Sequence, residues 1–284
     1  METPSFHGAR VLALESRRAP ELASLITTYG GQPLVAPALR EVPLESNTQA
    51  LEFADALVRD QFDIVIFLTG VGTRALVGVA ETRMPVDAFV SALRRTKVVA
   101  RGPKPLAVLR ELDVPVWVAA PEPNTWKEVL TAMDARSKEL PAGTRRIAVQ
   151  EYGVSNADLI DGLRRRGATV TTVPVYKWAL PEDVEPLKQA IRAVVAGEVD
   201  VAMFTTGVQV DHLWQIASEM KLDADLKTAL GRIAIASIGP STSDELRRRG
   251  IDADLEPSHP KMGYLVREAA ERSTDLLRAK GRRV

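Results

Sequence analysis

Phe67-Leu68-Thr69-Gly70-Val71 and Phe204-Thr205-Thr206-Gly207-Val208 are two versions of one phrase, set about 137 residues apart. Each closes a short apolar run and opens a helical pattern. The same spacing carries Gly102-Pro103 onto Gly239-Pro240 and Pro123 onto Pro260. A spacing shorter by about one residue carries Val11–Glu15 onto Ile147–Glu151 and Gly31 onto Gly167. The chain therefore reads as two copies of one α/β unit of about five strands, a long duplication rather than an array of short repeats.

Outward from these phrases, short apolar runs alternate with helical periodicity. Val11–Glu15, Ile64–Leu68, Val98–Ala100, Val116–Ala119, Ile147–Gln150, Val170–Val175, Val201–Thr205 and Ile233–Ile238 read as strands. Most are continuously apolar, which suits parallel strands covered on both faces. Helices are expected at Glu21–Tyr29, Gln49–Arg59, Val86–Arg94, Pro105–Leu112, Trp126–Lys138, Ala157–Arg166, Val184–Ala196, Val208–Met220, Ser243–Arg249 and Gly263–Ala279. Arg166-Gly167 and Arg249-Gly250 place a cation and then a glycine where helix ends favour them. Such alternation implies an α/β fold with right-handed crossovers. The duplication leaves two ways to divide the chain. One cuts it near Pro141-Ala142-Gly143. The other treats the proline-punctuated segments Pro37–Pro43 and Pro174–Pro181 as crossings between two lobes.

Composition removes several function classes. The 284 residues carry 37 Lys plus Arg against 37 Asp plus Glu, which argues against a general nucleic-acid binder. Absence of cysteine excludes disulfides, thiolate metal sites and Cys nucleophiles. The three histidines, His7, His212 and His259, are widely scattered, so a zinc enzyme is not expected. His7 is expected in a disordered terminus, His212 in a structural role, and His259 in a loop. No apolar run approaches the roughly 18 residues of a membrane span. With a polar N-terminal stretch, a cytoplasmic protein is expected.

The matched glycines sit where strands end and helices begin. In open α/β sheets that edge binds ligands, and helix N-termini favour anions there. Thr69, Thr205, Thr206, Ser241 and Thr242 offer hydroxyls, although each also suits a helix cap. Arg17, Arg18, Arg74, Arg101, Lys104, Lys177 and Lys261 lie at loop positions and suit a ligand with several carboxylates or phosphates. The segment Gly70-Val71-Gly72-Thr73-Arg74-Ala75 imitates a dinucleotide fingerprint. The matching copy, Gly207-Val208-Gln209, lacks the second glycine, and no acidic ribose ligand follows at the expected distance. Tyr176 ends a strand beside the second suspected crossing. A phenol can donate to a leaving oxygen, and a tyrosine can equally pack a hinge.

The Thr-Gly-Val repeat, the Gly-Pro pairs and Pro174-Val175-Tyr176, in this order and spacing, resemble the uroporphyrinogen-III synthase family over residues 9–279. The resemblance implies an α/β fold of two flavodoxin-like parallel-sheet lobes joined by a two-stranded linker. It implies the crossed division: 1–43 with 174–284 as a discontinuous lobe, 44–173 as a continuous one, and a substrate cleft between them. The implied activity is a cyclising hydro-lyase that converts hydroxymethylbilane to uroporphyrinogen III, losing water and inverting ring D through a spiro intermediate. No cofactor or metal is implied. Tyr176 becomes the candidate catalytic group. Thr69, Gly70, Val71, Arg101, Gly102, Lys104, Thr205, Thr206, Gly207, Gly239, Ser241 and Thr242 become the substrate-binding set.

The chain departs from the family pattern in two places. Pro103-Lys104-Pro105 fills a loop where many members carry a hydroxyl, and Thr69 precedes glycine where others have serine. Lys104 is expected to compensate by binding a carboxylate. A monomer with hydroxymethylbilane as its small-molecule partner is expected, in transient contact with the preceding pathway enzyme, and with no nucleic acid or membrane. The alternative is a non-catalytic two-lobed sensor of a tetrapyrrole or polycarboxylate. No room remains for a DNA-binding module after Ala279, and the basic tail Lys280 to Arg283 is expected to be disordered. A solute-binding protein is disfavoured by the missing signal segment.

Overall fold

The structure is a computed structural model that describes residues 3–43, 47–151, 153 and 155–282. The chain begins with β1 (Arg10–Ala13), α1 (Ala19–Thr28) and β2 (Gln32–Val35). Next come β3 (Arg40–Pro43), α2 (Thr48–Val58), β4 (Ile64–Phe67), α3 (Gly70–Glu81), α4 (Val86–Arg95), β5 (Lys97–Ala100), α5 (Pro103–Glu111) and β6 (Val118–Ala119). There follow α6 (Trp126–Ala135), β7 (Arg146–Gln150), α7 (Ala157–Arg165), β8 (Thr169–Val173) and β9 (Tyr176–Ala179). The chain ends with α8 (Glu185–Val195), β10 (Val201–Phe204), α9 (Gly207–Glu219), α10 (Asp223–Leu230), β11 (Ala234–Ser237), α11 (Pro240–Arg248) and α12 (Met262–Ala279).

Two compact units result: residues 1–40 with 179–284, and residues 41–178. The strands β3 and β9, where the chain passes from one unit to the other, pair as a two-stranded sheet. The first unit holds a parallel sheet in the order β11-β10-β1-β2, and Leu255 bridges Ala236 beyond its β11 edge. The second holds a parallel sheet in the order β6-β5-β4-β7-β8. Read from β2 and from β8, both follow the 2-1-3-4-5 order of flavodoxin-like folds. In the second unit the first two strands of that order come last in the chain.

Each sheet is apolar on both faces. The run Ile64–Phe67 is buried throughout, as is Val201–Phe204. In the second unit Phe67 and Val65 pack toward Phe53, Phe89 and Leu93, while Ile64 and Ile66 pack toward Leu130, Leu159 and Leu163. In the first, Phe204 and Ala202 join Leu213, Leu226 and Leu230, and Met203 and Val201 join Leu22, Leu265 and Val266. Each Val, Leu, Ile, Phe or Met among them contributes about 1.5–3 kcal/mol by leaving water.

The structure corrects the sequence reading in several places. The strand β2 is not among the strands read from the sequence, and Pro33 lies inside it. It is an edge strand, where proline is tolerated. The helix α10 was not expected either. Val116–Ala119 shortens to the two residues of β6, and the helix expected from Ser243 starts at Pro240, with proline in its first turn. The expected Trp126–Lys138 helix stops at Ala135 and tightens into a 3-10 turn at Ser137–Glu139. Neither chain end is loose where described. Phe6, beside His7, is fully buried, and its N–H donates to the Tyr29 carbonyl. Lys280 pairs with Asp254 at 2.6 Å, and Arg282 with Asp200 at 2.8 Å.

The repeat also extends to the opposite edge of each sheet. Asp63 and Asp200, again about 137 apart, open β4 and β10. Asp63 Oδ2 accepts from the N–H groups of Arg145 and Arg146 at 3.0 and 2.9 Å, and the Arg146 guanidinium reaches Oδ1 at 2.5 Å. The Asp63 carbonyl accepts from Lys97, so one residue staples the starts of three strands. Asp200 accepts from Arg10 N–H at 2.8 Å, and its carbonyl accepts from Ala234.

The Arg146 guanidinium, helped by the two backbone donors and opposed by partial burial, pulls the Asp63 carboxyl from 3.8 down to about 2. A depressed folded-state pKa stabilises above the unfolded value, and that stability is lost as pH falls through the folded one. Asp63→Asn is expected to lower stability at pH 7 by about 1–2 kcal/mol, allowing for solvent screening. Urea unfolding should show the gap to wild type narrowing between pH 4 and pH 2.

Candidate functional site

In the second unit, β4 is the central strand and β5 its neighbour. Their carboxyl ends release two turns side by side. Thr69 is extended, at φ −143° and ψ 150°, and caps α3: its Oγ1 accepts from the Gly72 N–H at 3.0 Å. Thr73 donates its hydroxyl back to the Thr69 carbonyl at 2.7 Å. Gly70 lies against the turn that follows β5. A Cβ there would stand 2.9 Å from the Lys104 carbonyl oxygen. Gly102 abuts the Asn124 carboxamide in the same way, at 2.9 Å. With its amide oriented to satisfy its neighbours, Asn124 donates to the carbonyls of Arg101 and Ala120. The glycines of the two turns thus allow close approach of backbone to backbone or carboxamide. Helix N-terminal N–H groups without intrahelical partners, at the positive end of the dipole, suit an anion at this edge.

Tyr176 opens β9 in the same unit. Its ring packs in the apolar cluster around Phe53 and Phe89 and meets Trp178 edge-on at 5.4 Å. Only 7% of the residue is exposed, and its Oη lies 3.4 Å from Thr69 Oγ1. So Thr69, Gly70, Gly102, Lys104 and Tyr176, singled out from sequence for different reasons, stand on adjoining turns or in contact. Val71 is 37% exposed in the first turn of α3. Arg101 is half-buried at the end of β5, with its N–H donated to the Phe67 carbonyl, and the Lys104 side chain is exposed.

The first unit repeats the layout. Thr205 and Thr206 follow β10, and Gly239 follows β11. Gly207 lies against α11, where a Cβ would be 3.3 Å from the Glu245 Cβ. Thr205 donates its hydroxyl to Glu15 at 2.6 Å and accepts from Gln209 at 2.9 Å. Its hydroxyl is therefore built into the turn. Ser241 is exposed in the first turn of α11, whereas Thr242 is turned inward at 3% exposure.

Other candidates have partners of their own, although the Arg18 N–H also reaches Glu15 of the first unit's turn at 3.4 Å. Arg18 pairs with Glu21, and Arg74 with Glu111 at 2.7 Å. His212 Nδ1 lies 2.6 Å from the Ala38 carbonyl, which is the structural role expected of it. His259 stacks edge-on against Tyr264 at 4.7 Å. Four polar residues of the turns escaped the sequence reading: Glu15, Asn124, Gln150 and Gln209. Gln150 is wholly buried and Gln209 is 1% exposed. A signal for Gln209 was present. The position of the missing second glycine in the copied fingerprint is itself Gln209.

Comparison with known proteins agrees with this architecture. The family model for uroporphyrinogen-III synthase HemD matches residues 20–267. The chain is 29% identical over 265 residues to the uncharacterized protein YjjA of Bacillus subtilis, covering 93% of this chain and 96% of that one. It is 30% identical over 239 residues to a Methanothermobacter thermautotrophicus protein that carries the provisional name uroporphyrinogen-III synthase, covering 83% and 87%. Among solved structures, a mutant uroporphyrinogen III synthase from Thermus thermophilus superposes with a TM-score of 0.72 at 26% identity. That match covers 95% of this chain and all of the other. The wild-type protein of the same organism, in another crystal form, gives 0.56 at 26% identity over 95% and 99%.

Two alanine substitutions on one helix separate close approach from mere flexibility. Gly70→Ala drives a methyl into the Lys104 backbone and is expected to lose about 1–3 kcal/mol. Gly78→Ala, in the same helix with open space at its Cβ, is expected to gain about 0.5–1 kcal/mol. Urea unfolding of both variants checks the pair.

Proposed function

Because the chain belongs to the uroporphyrinogen-III synthase family, we propose that it closes hydroxymethylbilane to uroporphyrinogen III. The observation that carries the chemistry is the hydroxyl of the largely buried Tyr176, 3.4 Å from Thr69 Oγ1 at the N-terminal turn of α3. A bilane presents acetate and propionate side chains and one reactive hydroxymethyl group. Carboxylates suit the N–H groups of the turns at Gly70 and Gly102, and the turns at Gly207 and Gly239 offer the same chemistry. Lys104, exposed in the first turn of α5, adds a cation within reach of that edge.

Tyr176 donates a hydrogen bond to the hydroxymethyl oxygen as its carbon–oxygen bond breaks. A free phenol has a pKa of about 10, so the group assists departure by hydrogen bonding rather than as a strong acid. The departing hydroxide leaves as water, taking up the proton that the adjoining pyrrole N–H releases. The adjoining pyrrole supplies its nitrogen lone pair to the carbon left behind and forms an azafulvene. That carbon is attacked by the substituted position of ring D, giving a spiro intermediate. Breaking the old bridge of ring D and reclosing at its other side delivers the inverted ring. Simple head-to-tail closure needs no spiro step, so the enzyme's task is to hold the bilane where the spiro attack is faster.

Freshly generated hydroxymethylbilane, incubated with the protein and resolved into type I and type III isomers, tests this reading. Wild type is expected to give type III product. Tyr176→Phe should cut kcat by about a hundredfold, the lower range for loss of a positioned proton donor. Type I product alone, at the rate of the uncatalysed control, would overturn the proposal in favour of a non-catalytic tetrapyrrole sensor.

A further inference from the structure

The two units organise the turn after their central strand with the same carboxamide, supplied from different places. In the first unit Gln209, third residue of α9, folds back. Its Oε1 accepts from the N–H groups of Thr205 and Thr206 at 2.7 and 3.3 Å, and its Nε2 donates to Thr205 Oγ1 at 2.9 Å. In the second unit the corresponding helix position is Gly72, which has no side chain to fold back. Gln150, the last residue of β7, fills that space. Its Oε1 accepts from the Leu68 N–H at 3.4 Å and its Nε2 donates to the Glu151 carbonyl. Leu68 corresponds to Thr205 in the repeat, so the same backbone donor is served in both units. A Cβ at Gly72 would overlap the Gln150 carboxamide. The counterpart of Gln150 is Leu14, fully buried and apolar. Glycine with glutamine in one unit thus replaces glutamine with leucine in the other.

We infer that Gln150 is a positioning residue for the reaction proposed above: its carboxamide sets the Leu68–Gly72 turn that holds Thr69 beside the Tyr176 hydroxyl. The inference rests on that reading of the function. Gln150 touches no reacting atom. It acts through the Leu68 N–H and the Glu151 carbonyl, and so ties the end of β7 to the turn after β4. Thr69 Oγ1 then accepts from Gly72 N–H at 3.0 Å and faces Tyr176 at 3.4 Å. Gly72 is required at its position by the carboxamide above it and not by a nucleotide.

The arrangement can be exchanged. Gln150→Leu removes the partner of Leu68 and is expected to lower kcat at least tenfold while changing KM less than threefold. Gly72→Gln alone forces two carboxamides into one space and should be equally impaired. The double variant Gly72→Gln with Gln150→Leu rebuilds the pattern of Gln209 and Leu14. It is expected to recover kcat to within about threefold of wild type. Hydrogen exchange at the Leu68 amide should follow the same order, fast in Gln150→Leu and slow again in the double variant. Gln150→Asn keeps a polar group but is too short to reach Leu68, so it should lose kcat in a folded protein. Unchanged kcat in Gln150→Leu or Gln150→Asn, or a double variant no better than the weaker single one, would overturn the inference. A wild type that makes no type III product would instead overturn the reading of the reaction itself.

Discussion

A central parallel strand that ends inside a protein carries its next backbone amides to a place water does not reach, and each must find a partner there. The rest of the candidate site depends on how that constraint is met after β4 and β10. The last strand bonds have been made, and the helix ladder has not begun. A buried carboxamide, with one acceptor and two donors on a short planar group, bridges this gap. Gln209 does so from the helix and Gln150 from the neighbouring strand. The turn that results has little freedom, and its threonine and glycine are held at the N-terminal turn of the helix.

The opposite edge of each sheet shows the same economy. Asp63 and Asp200 open the central strands and gather the starts of their neighbours. At this edge a carboxylate is the right group, because the nearby donors are backbone N–H groups and an arginine. After β4 the bridging group is a neutral carboxamide, which adds no negative charge to the turn; after β10 the Glu15 carboxylate stands in the turn beside the carboxamide and takes the Thr205 hydroxyl at 2.6 Å. The Tyr176 hydroxyl comes to the turn after β4 from outside the sheet, 3.4 Å from Thr69 Oγ1. Its ring is fixed by the apolar cluster and by Trp178, so its oxygen does not need a charged partner to be positioned.

Much of the fold was legible because continuous apolar runs such as Ile64–Leu68 and Val201–Thr205 allow few readings other than covered parallel strands. The repeat by itself placed the strand-to-helix turns, since both phrases put glycine where a helix begins. Failures have local causes. The strand β2 holds Pro33, and sequence cannot show that a strand lies at an edge. The helix α10 is short and modestly apolar, and its neighbours α8 and α9 hold it in place through Leu226 and Leu230. The glutamines were missed for a deeper reason. Gln209 was read as a broken glycine motif, whereas Gly72 and Gln150, 78 positions apart, show their relation only when β7 is placed beside β4. The parallel order of the strands, which the sequence left open, makes them neighbours.

The central claim is that the turns at Gly70 and Gly102 are where substrate carboxylates bind, with Tyr176 beside them. Titrating nitrogen-15-labelled protein with uroporphyrinogen III under anaerobic conditions tests it directly through the backbone amide signals. The account predicts saturable shifts at Gly70, Val71, Gly102 and Lys104, together with a change at Tyr176. Saturable shifts confined to other parts of the chain, with these amides unmoved, would contradict it.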